Sequence, residues 1–324
     1  MLWLTWRQHR MQVLVTTALL AAIGVTLLIN GLGAADFAAR NTQAAIDCAS
    51  APGTDACAVY TGGMMEWMWS VGEIFGWLPL LAPALIGAFW GAPLLGREFE
   101  RGTHQLAWTQ SVSRSRWLAA KVGGLGFLVT LGGLALGGAV SAWLAVFDSA
   151  EFPVNFLSQS WFRLVGIVPA AWWLFAFVLG VAMGAAFRRT VPAMALTLAI
   201  CAGLFFGLRT VQPMYANPQL AVQTTVVNDV VPDDVLTLNL YWIDRNGSVL
   251  TGPDMDLALA RPCGTDPTAA KYDECSFKQG YRQVTVFQPA DRFWRFQWTE
   301  TGILLIAAAV VGGVTVRRAL RPRI

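Results

Sequence analysis

Long apolar stretches alternate with short polar segments along most of the chain. Six of these stretches reach the roughly 17–25 residues that a helix needs to cross a bilayer. A longer and more polar segment separates the fifth stretch from the sixth. The pattern predicts an all-α polytopic membrane protein with six transmembrane helices and a small β-containing extracytoplasmic domain between spans five and six. The predicted spans cover residues 11–33, 74–96, 118–147, 162–187, 191–208 and 301–316.

The polar segment carries the pattern of β-strands. Residues 235–243 alternate apolar and polar side chains, Asn246-Gly247 predicts a hairpin turn, and 248–250 then predicts the returning strand. A further strand is predicted over 281–287. The predicted parts of the chain are an interfacial helix with the first span (1–33), an outer loop (34–73), spans two to five (74–208), the extracytoplasmic domain (209–298), and the sixth span with a basic tail (299–324).

The composition fits a protein that lipid covers in part. Hydrophobic residues make up 55% of the 324 residues and charged residues only 13%, against roughly 25% charged in an ordinary soluble domain. Such a chain has too few polar side chains to cover its own apolar surface. Most of its 23 basic residues are arginine, and Ala, Gly and Trp are abundant. This bias is typical of GC-rich bacterial genes, such as those of actinobacteria.

The distribution of charge predicts the side of the membrane that each loop occupies. With six spans, one side receives thirteen basic and two acidic residues, net +11, and the other receives ten basic and eighteen acidic residues, net −8. Excess arginine in short loops marks the cytoplasmic side. We therefore expect a multi-pass protein of a bacterial plasma membrane with both termini and the loop after span two in the cytoplasm.

A cleaved signal peptide is the alternative for the N-terminal segment. Basic residues, an apolar run and the small residues Gly33-Ala34-Ala35 occur there in the order that a signal peptide requires. The apolar run is longer than a typical signal core. Its removal would also put the charge pattern of every later loop on the wrong side.

Four of the five cysteines lie in the two loops that the charge pattern places outside. They form two local pairs, Cys48 with Cys57 and Cys263 with Cys275. We expect each pair to be a disulfide, because disulfides persist in an oxidising compartment. A zinc site is the alternative, but the spacings are wide and no histidine is predicted outside. Cys201 lies within a span, where it is expected to behave as a small apolar residue.

The sequence lacks the motifs of common catalytic centres. No Gly-Lys dipeptide occurs, which excludes a Walker A phosphate loop. The only histidines, His9 and His104, are isolated, which excludes a His-Glu-x-x-His zinc site and a histidine triad. Glu73 and Glu300 stand at outer ends of spans, and we interpret both as solvated. We therefore expect no catalytic residue, metal or cofactor in this chain.

The most informative segment joins spans two and three. It contains several charged residues, a Ser113-Arg114 turn, and Lys121 at the start of the next span. We interpret residues 97–117 as containing a short charged helix on the cytoplasmic face, with Glu98 and Glu100 near its start, where the helix dipole favours acids. The alternative is a solvated connecting loop, which is the usual role of a charged loop.

This segment resembles the first cytoplasmic loop of type-2 ABC exporter permeases. In that family a Glu-x-Gly-Thr-x-x-Leu pattern is followed by a Ser-Arg turn and an Ala-Lys start to the next span. The proline often found before the turn is absent, and Ser111 stands in its region. The matching positions are Glu100, Gly102, Thr103, Leu106, Ser113, Arg114, Ala120 and Lys121.

The resemblance implies a transmembrane permease subunit that works with a separate cytoplasmic ATPase subunit. The loop helix would dock into a cleft of that subunit, which would bind ATP and Mg²⁺, and pass its motion to the spans. The residues expected to couple to the ATPase are Glu98, Glu100, Arg101, Gly102, Thr103, His104 and Leu106.

A single copy has few spans with which to enclose a large substrate. We therefore expect two copies, most simply a homodimer, to move an apolar or amphipathic substrate outward. Two small-xxx-small motifs, Gly133 with Gly137 and Gly180 with Gly184, let helices approach closely, either within one chain or between copies. Aromatic residues of the spans either line a path or face lipid. The candidates for the path are Phe89, Trp90, Trp172, Trp173, Phe175 and Phe177.

The main alternative function is a membrane sensor or immunity subunit whose outer domain binds a peptide or lipid ligand. Such a protein would have no ATPase partner. A membrane enzyme is disfavoured by the missing catalytic constellations. A secondary transporter should show buried charges and a repeat between its halves, and the sequence indicates neither. We expect no nucleic-acid partner.

Overall fold

A computed structural model describes much of the chain and divides it into two compact units. Six helical stretches in the described residues are long and apolar enough to cross a membrane, which confirms the predicted number of spans. The larger unit is Met1–Val154, Gln159–Thr210 and Gln297–Ile324, and the smaller is Asn155–Ser158 and Val211–Phe296. The described residues are 2–50, 55–100, 114–152, 154–225, 231–232, 234–250, 254, 257, 263 and 270–320.

The helices of the first, third, fifth and sixth spans are longer than the apolar stretches that predict them. The first has 39 residues, or about 58 Å at 1.5 Å per residue, and so exceeds the roughly 30 Å of a hydrocarbon core. The helices in the described residues are α1 Leu2–Arg40, α2 Thr42–Ser50, α3 Asp55–Gly76, α4 Leu78–Ile86, α5 Ala92–Glu100, α6 Arg114–Asp148, α7 Val168–Phe187, α8 Thr190–Val211, α9 Ala270–Lys278 and α10 Phe293–Leu320.

The second span is not one regular helix. α4 begins with Pro79 in its first turn, where proline lacks only an N–H that has no helical partner. Gly87–Gly91 then form a π-helical turn between α4 and α5, and such turns are frequent at functional sites. Gln12 of α1 donates through Nε2 to the Phe89 carbonyl in this turn at 2.9 Å. The hydrogen bond ties the first span to the irregular part of the second.

The glycines of both small-xxx-small motifs lie against the backbone of a facing element. A Cβ added at any of them would collide with that backbone, so only glycine permits the observed separation. This geometry confirms the interpretation of packing within one chain. The contacts are Gly133 with Ala170, Gly137 with Gly166, Gly180 with Gly87, and Gly184 with Ala92.

The fourth span begins later than the apolar pattern indicates. Its predicted start is residue 162, but α7 begins at Val168 and turns precede it. Gly166 has a φ of +66°, which ends any helical path from residue 162, and Pro169 favours a helix start. Only two residues separate α7 from α8, in agreement with the short gap between the predicted ends of spans four and five at residues 187 and 191.

The smaller unit contains the predicted β-structure as an antiparallel sheet with strand order β1-β4-β2-β3. Its second, third and fourth strands match the predicted strands and hairpin. The first strand and α9 were not predicted, since a five-residue edge strand shows little alternation. Ala221, Val235 and Phe287 form a buried apolar cluster of this unit. The strands are β1 Gln219–Gln223, β2 Leu236–Ile243, β3 Val249–Leu250 and β4 Arg282–Gln288.

Candidate functional site

A buried ion pair joins the sixth span to the segment that precedes α7. The side chains of Arg163 and Glu300 are 1% and 0% exposed. Arg163 donates through Nε to Glu300 Oε1 and through Nη2 to Oε2, each at 2.7 Å. This two-bond arrangement matches the planar guanidinium to the carboxylate and gives strong, charge-assisted hydrogen bonds.

Aromatic side chains surround the Arg163–Glu300 pair. The indole Nε1 of Trp172 donates to Glu300 Oε1 at 2.9 Å. The rings of Phe162 and Phe205 lie 5.6 and 5.5 Å from the guanidinium carbon of Arg163, within the range of a cation–π contact. These groups connect α7, α8 and α10 around one pair of opposite charges.

Gln297 stands one turn before Glu300 on α10 and caps the start of α7. Its Oε1 accepts hydrogen bonds from the backbone N–H groups of Ile167 and Val168 at 3.0 and 3.1 Å. Its Nε2 donates to the Phe162 carbonyl at 3.1 Å. The first N–H groups of a helix have no hydrogen-bond partner within the helix. Here the fully buried side-chain amide of Gln297, which belongs to another span, accepts their hydrogen bonds.

The interpretation of Glu300 as a solvated span end is wrong, whereas Glu73 is exposed as expected. The charge pattern assigns a residue to one side of the membrane but says nothing of a partner 137 positions away. The expectation that the spans hold no buried charge is also wrong, because the pairing of Arg163 with Glu300 cannot be seen in the charge pattern. A usable signal exists, because Arg163 lies in an apolar run at the same predicted level as Glu300, and opposite charges at one depth tend to pair.

A second polar contact connects spans one, two and three. Asn30 of α1 donates through Nδ2 to the Trp67 carbonyl and to Ser70 Oγ of α3, each at 3.0 Å. Its Oδ1 accepts from Trp143 Nε1 of α6 at 2.8 Å. A buried amide with both ends satisfied fixes the register of three helices, since any slip would leave polar atoms without partners. Asn30 was not predicted as a contact residue.

The residues expected to couple to an ATPase lie at the opposite end of span two. Glu98 and Glu100 occupy the last turn of α5 rather than the start of a new helix. Glu98 forms an ion pair with Lys121 of α6, and Glu100 Oε2 accepts from Thr190 Oγ1 at 2.9 Å. Their expected role stays a prediction. Arg101, Gly102, Thr103, His104 and Leu106 lie outside the described residues.

The aromatic residues proposed for a substrate path lie mostly inside a single chain. Phe89 is 52% exposed, but the other five are buried. These five side chains therefore do not face lipid, and that interpretation of them is wrong. A role in transport stays a prediction for all six. The five buried aromatics are Trp90, Trp172, Trp173, Phe175 and Phe177.

Both predicted cysteine pairs are disulfides in the structure. Cys48 is bonded to Cys57, and Cys263 to Cys275, with Cα–Cα distances of 4.5 and 5.6 Å. Cys201 is a buried free thiol. The first disulfide joins α2 to α3 and so links the two helices at the connection between the first two spans.

Helices that cross the membrane several times, joined by buried polar contacts and close glycine packing, define an integral membrane protein. The sequence model of the family described as ABC-2 membrane transporter related matches residues 17–212, which is more than half of the chain. The protein belongs to this family and is a transmembrane subunit of a transporter. Comparisons with curated proteins and with solved structures found no match.

Proposed function

We propose that the chain is the permease subunit of an ATP-binding cassette exporter. A separate cytoplasmic ATPase subunit binds ATP and Mg²⁺ and supplies the energy, and this chain holds no catalytic group of its own. Two copies move an apolar or amphipathic substrate outward across a bacterial plasma membrane, with both termini in the cytoplasm. The family match and the net charge of +11 on one predicted side support this proposal.

The contacts at the end of α5 are the observation that carries the proposal. α5 continues the second span and is described as far as Glu100, which stands in the segment that resembles a coupling loop. Glu98 holds α5 to α6 through Lys121, and Glu100 holds α5 to α8 through Thr190. A displacement applied after Glu100 therefore acts on spans two, three and five together.

The small side-chain exposure of the Glu98–Lys121 pair strengthens this argument. Lys121 is 7% exposed and Glu98 20% exposed, so the pair is largely desolvated. An exposed ion pair contributes only about 0–1 kcal/mol, whereas removing one partner of a buried pair costs about 3–5 kcal/mol. The contact therefore holds the ends of α5 and α6 together.

Reconstitution with the ATPase subunit tests the proposal. Thr190→Val removes the hydroxyl that donates to Glu100 while keeping the shape of the side chain. Thr210→Val is the matched control, because the Thr210 hydroxyl donates to the Gly207 carbonyl of its own helix. We expect Thr190→Val to lower the amount of substrate exported per ATP hydrolysed and Thr210→Val to leave that ratio unchanged. The amphipathic dye used as substrate and the released phosphate are measured in the same vesicles.

Two results would contradict the proposal. If the purified chain forms no complex with an ATPase subunit, the sensor or immunity function becomes the better explanation. If Thr190→Val exports dye at the normal ratio, the contacts of α5 do not transmit the motion.

A further inference from the structure

A groove opens beside the outer ends of α1, α3 and α6, and its volume is about 740 Å³. We call it the outer groove. More than half of its lining residues belong to the end of α1 and to α2, and they include Ala38, Ala39 and Ala45. Pockets of about 300–1,000 Å³ with apolar walls and few polar groups are the usual form of a small-molecule site.

Contacts on every side preform the outer groove. Tyr60 of α3 lines it and donates its hydroxyl hydrogen to the Ala150 carbonyl beyond the end of α6. The ring of Phe37 stacks on Tyr60 with centroids 6.1 Å apart. The Cys48–Cys57 disulfide fixes α2, which supplies one wall, to α3. The walls therefore need no rearrangement to receive a ligand.

The position of the outer groove fits a ligand with an apolar chain and a polar head. Most of its lining residues follow the predicted ends of the first span at residue 33 and of the third span at residue 147. This is the level of the lipid head groups, where amphipathic molecules lie with one end apolar and the other in water.

The charge at the rim specifies the head group. Glu151 lines the outer groove and is exposed, and it is the one charged side chain among the described lining residues. Ser149 adds a hydroxyl on the same rim. A carboxylate attracts a cation and repels an anion, so the rim complements a cationic head group while the alanine wall accepts an alkyl chain.

We propose that the outer groove is a binding site for a single-chain amphipathic cation. The alkyl chain lies along the alanine wall and the head group lies at Glu151. The inference goes beyond the proposed function, because binding at this site requires neither an ATPase nor transport.

Binding of dodecyltrimethylammonium to the chain in phosphatidylcholine nanodiscs tests the site. Titration calorimetry below the micellar concentration, with empty nanodiscs subtracted, should show saturable binding of one probe per chain. Glu151→Gln should weaken binding about fivefold, near the upper limit for one partly solvated charge pair. Asp148→Asn is the matched control, since Asp148 is an exposed acid on α6 that does not line the groove. It should leave the affinity unchanged.

A bulky substitution tests the wall independently of charge. Ala38→Trp places an indole in the outer groove and should weaken binding at least tenfold. Val59→Trp is the control: it adds the same bulk at an exposed position of α3 outside the groove and should have no effect on binding. Dodecanol, which has the chain without the charge, should bind Glu151→Gln as it binds the unchanged protein. Equal binding of the cation to all variants would overturn the proposal, and so would equal losses for Ala38→Trp and Val59→Trp. Glu151→Gln keeps the test decisive if Ala38→Trp does not fold.

Discussion

Breaking the Arg163–Glu300 pair should destabilise the protein strongly, because both side chains are buried. Glu300→Leu leaves the Arg163 guanidinium buried without its carboxylate, and Arg163→Met leaves the Glu300 carboxylate buried without its guanidinium. Removing one partner of a buried pair costs about 3–5 kcal/mol, because the remaining charge stays buried without its opposite charge. We expect each single substitution to fall in that range.

The double substitution Arg163→Met with Glu300→Leu should cost far less than the sum of the two. It leaves no buried charge, and apolar side chains of similar volume often replace such pairs at little cost. The Trp172 N–H still loses its acceptor, which costs about 1–3 kcal/mol. We therefore expect a total near that value, compared with about 6–10 kcal/mol if the two single effects simply added.

Unfolding in mixed micelles of dodecyl maltoside and dodecyl sulfate measures these differences, with tryptophan fluorescence as the signal. Glu73→Gln is the control, since Glu73 is an exposed acid near the end of a span and should change stability by no more than about 0.5 kcal/mol. Additive effects of the two single substitutions would refute the reasoning. So would a cost below about 1 kcal/mol for either one, a value that belongs to exposed pairs.

Three further predictions use the same preparations. Gly133→Ala should lower the free energy of unfolding by about 1–3 kcal/mol, because its Cβ would lie 2.6 Å from Ala170 Cα, whereas Gly138→Ala, with open space around it, should not. Asn30→Leu should lower it by about 0.6–2 kcal/mol, the range for hydrogen bonds between membrane helices, and an unchanged midpoint would show that the Asn30 contacts contribute nothing. Mass mapping without reductant should find the 48–57 and 263–275 disulfides with Cys201 as a free thiol, and cross-paired cysteines would contradict the structure.

Patterns that extend over many residues predicted the fold well. Each span is a run of apolar side chains, and the sheet of the smaller unit follows from alternation and from the Asn246-Gly247 turn. The cysteine pairs were predictable because each is local in sequence, with separations of 9 and 12 residues. These features depend on near neighbours, so one sequence contains the information.

The polar contacts of the candidate site were not predictable in the same way. Asn30 meets Trp143 across 113 positions and Arg163 meets Glu300 across 137. Single polar residues within apolar runs mark such contacts, but they do not say which residue is the partner. The π-helical turn at Gly87–Gly91 was missed because its sequence is apolar and looks like the rest of the span.

The family match and the contacts of the sixth span together indicate how that span is attached. The match ends at residue 212, so it includes Arg163 but not Gln297 or Glu300. Glycine contacts with backbone hold α6 and the second span to α7, whereas α10 meets the start of α7 through the side chains of Gln297 and Glu300. Backbone contact fixes helices at one separation, but long side chains can keep their hydrogen bonds while the helices shift. We therefore expect the sixth span to move relative to the other spans more readily than those spans move among themselves.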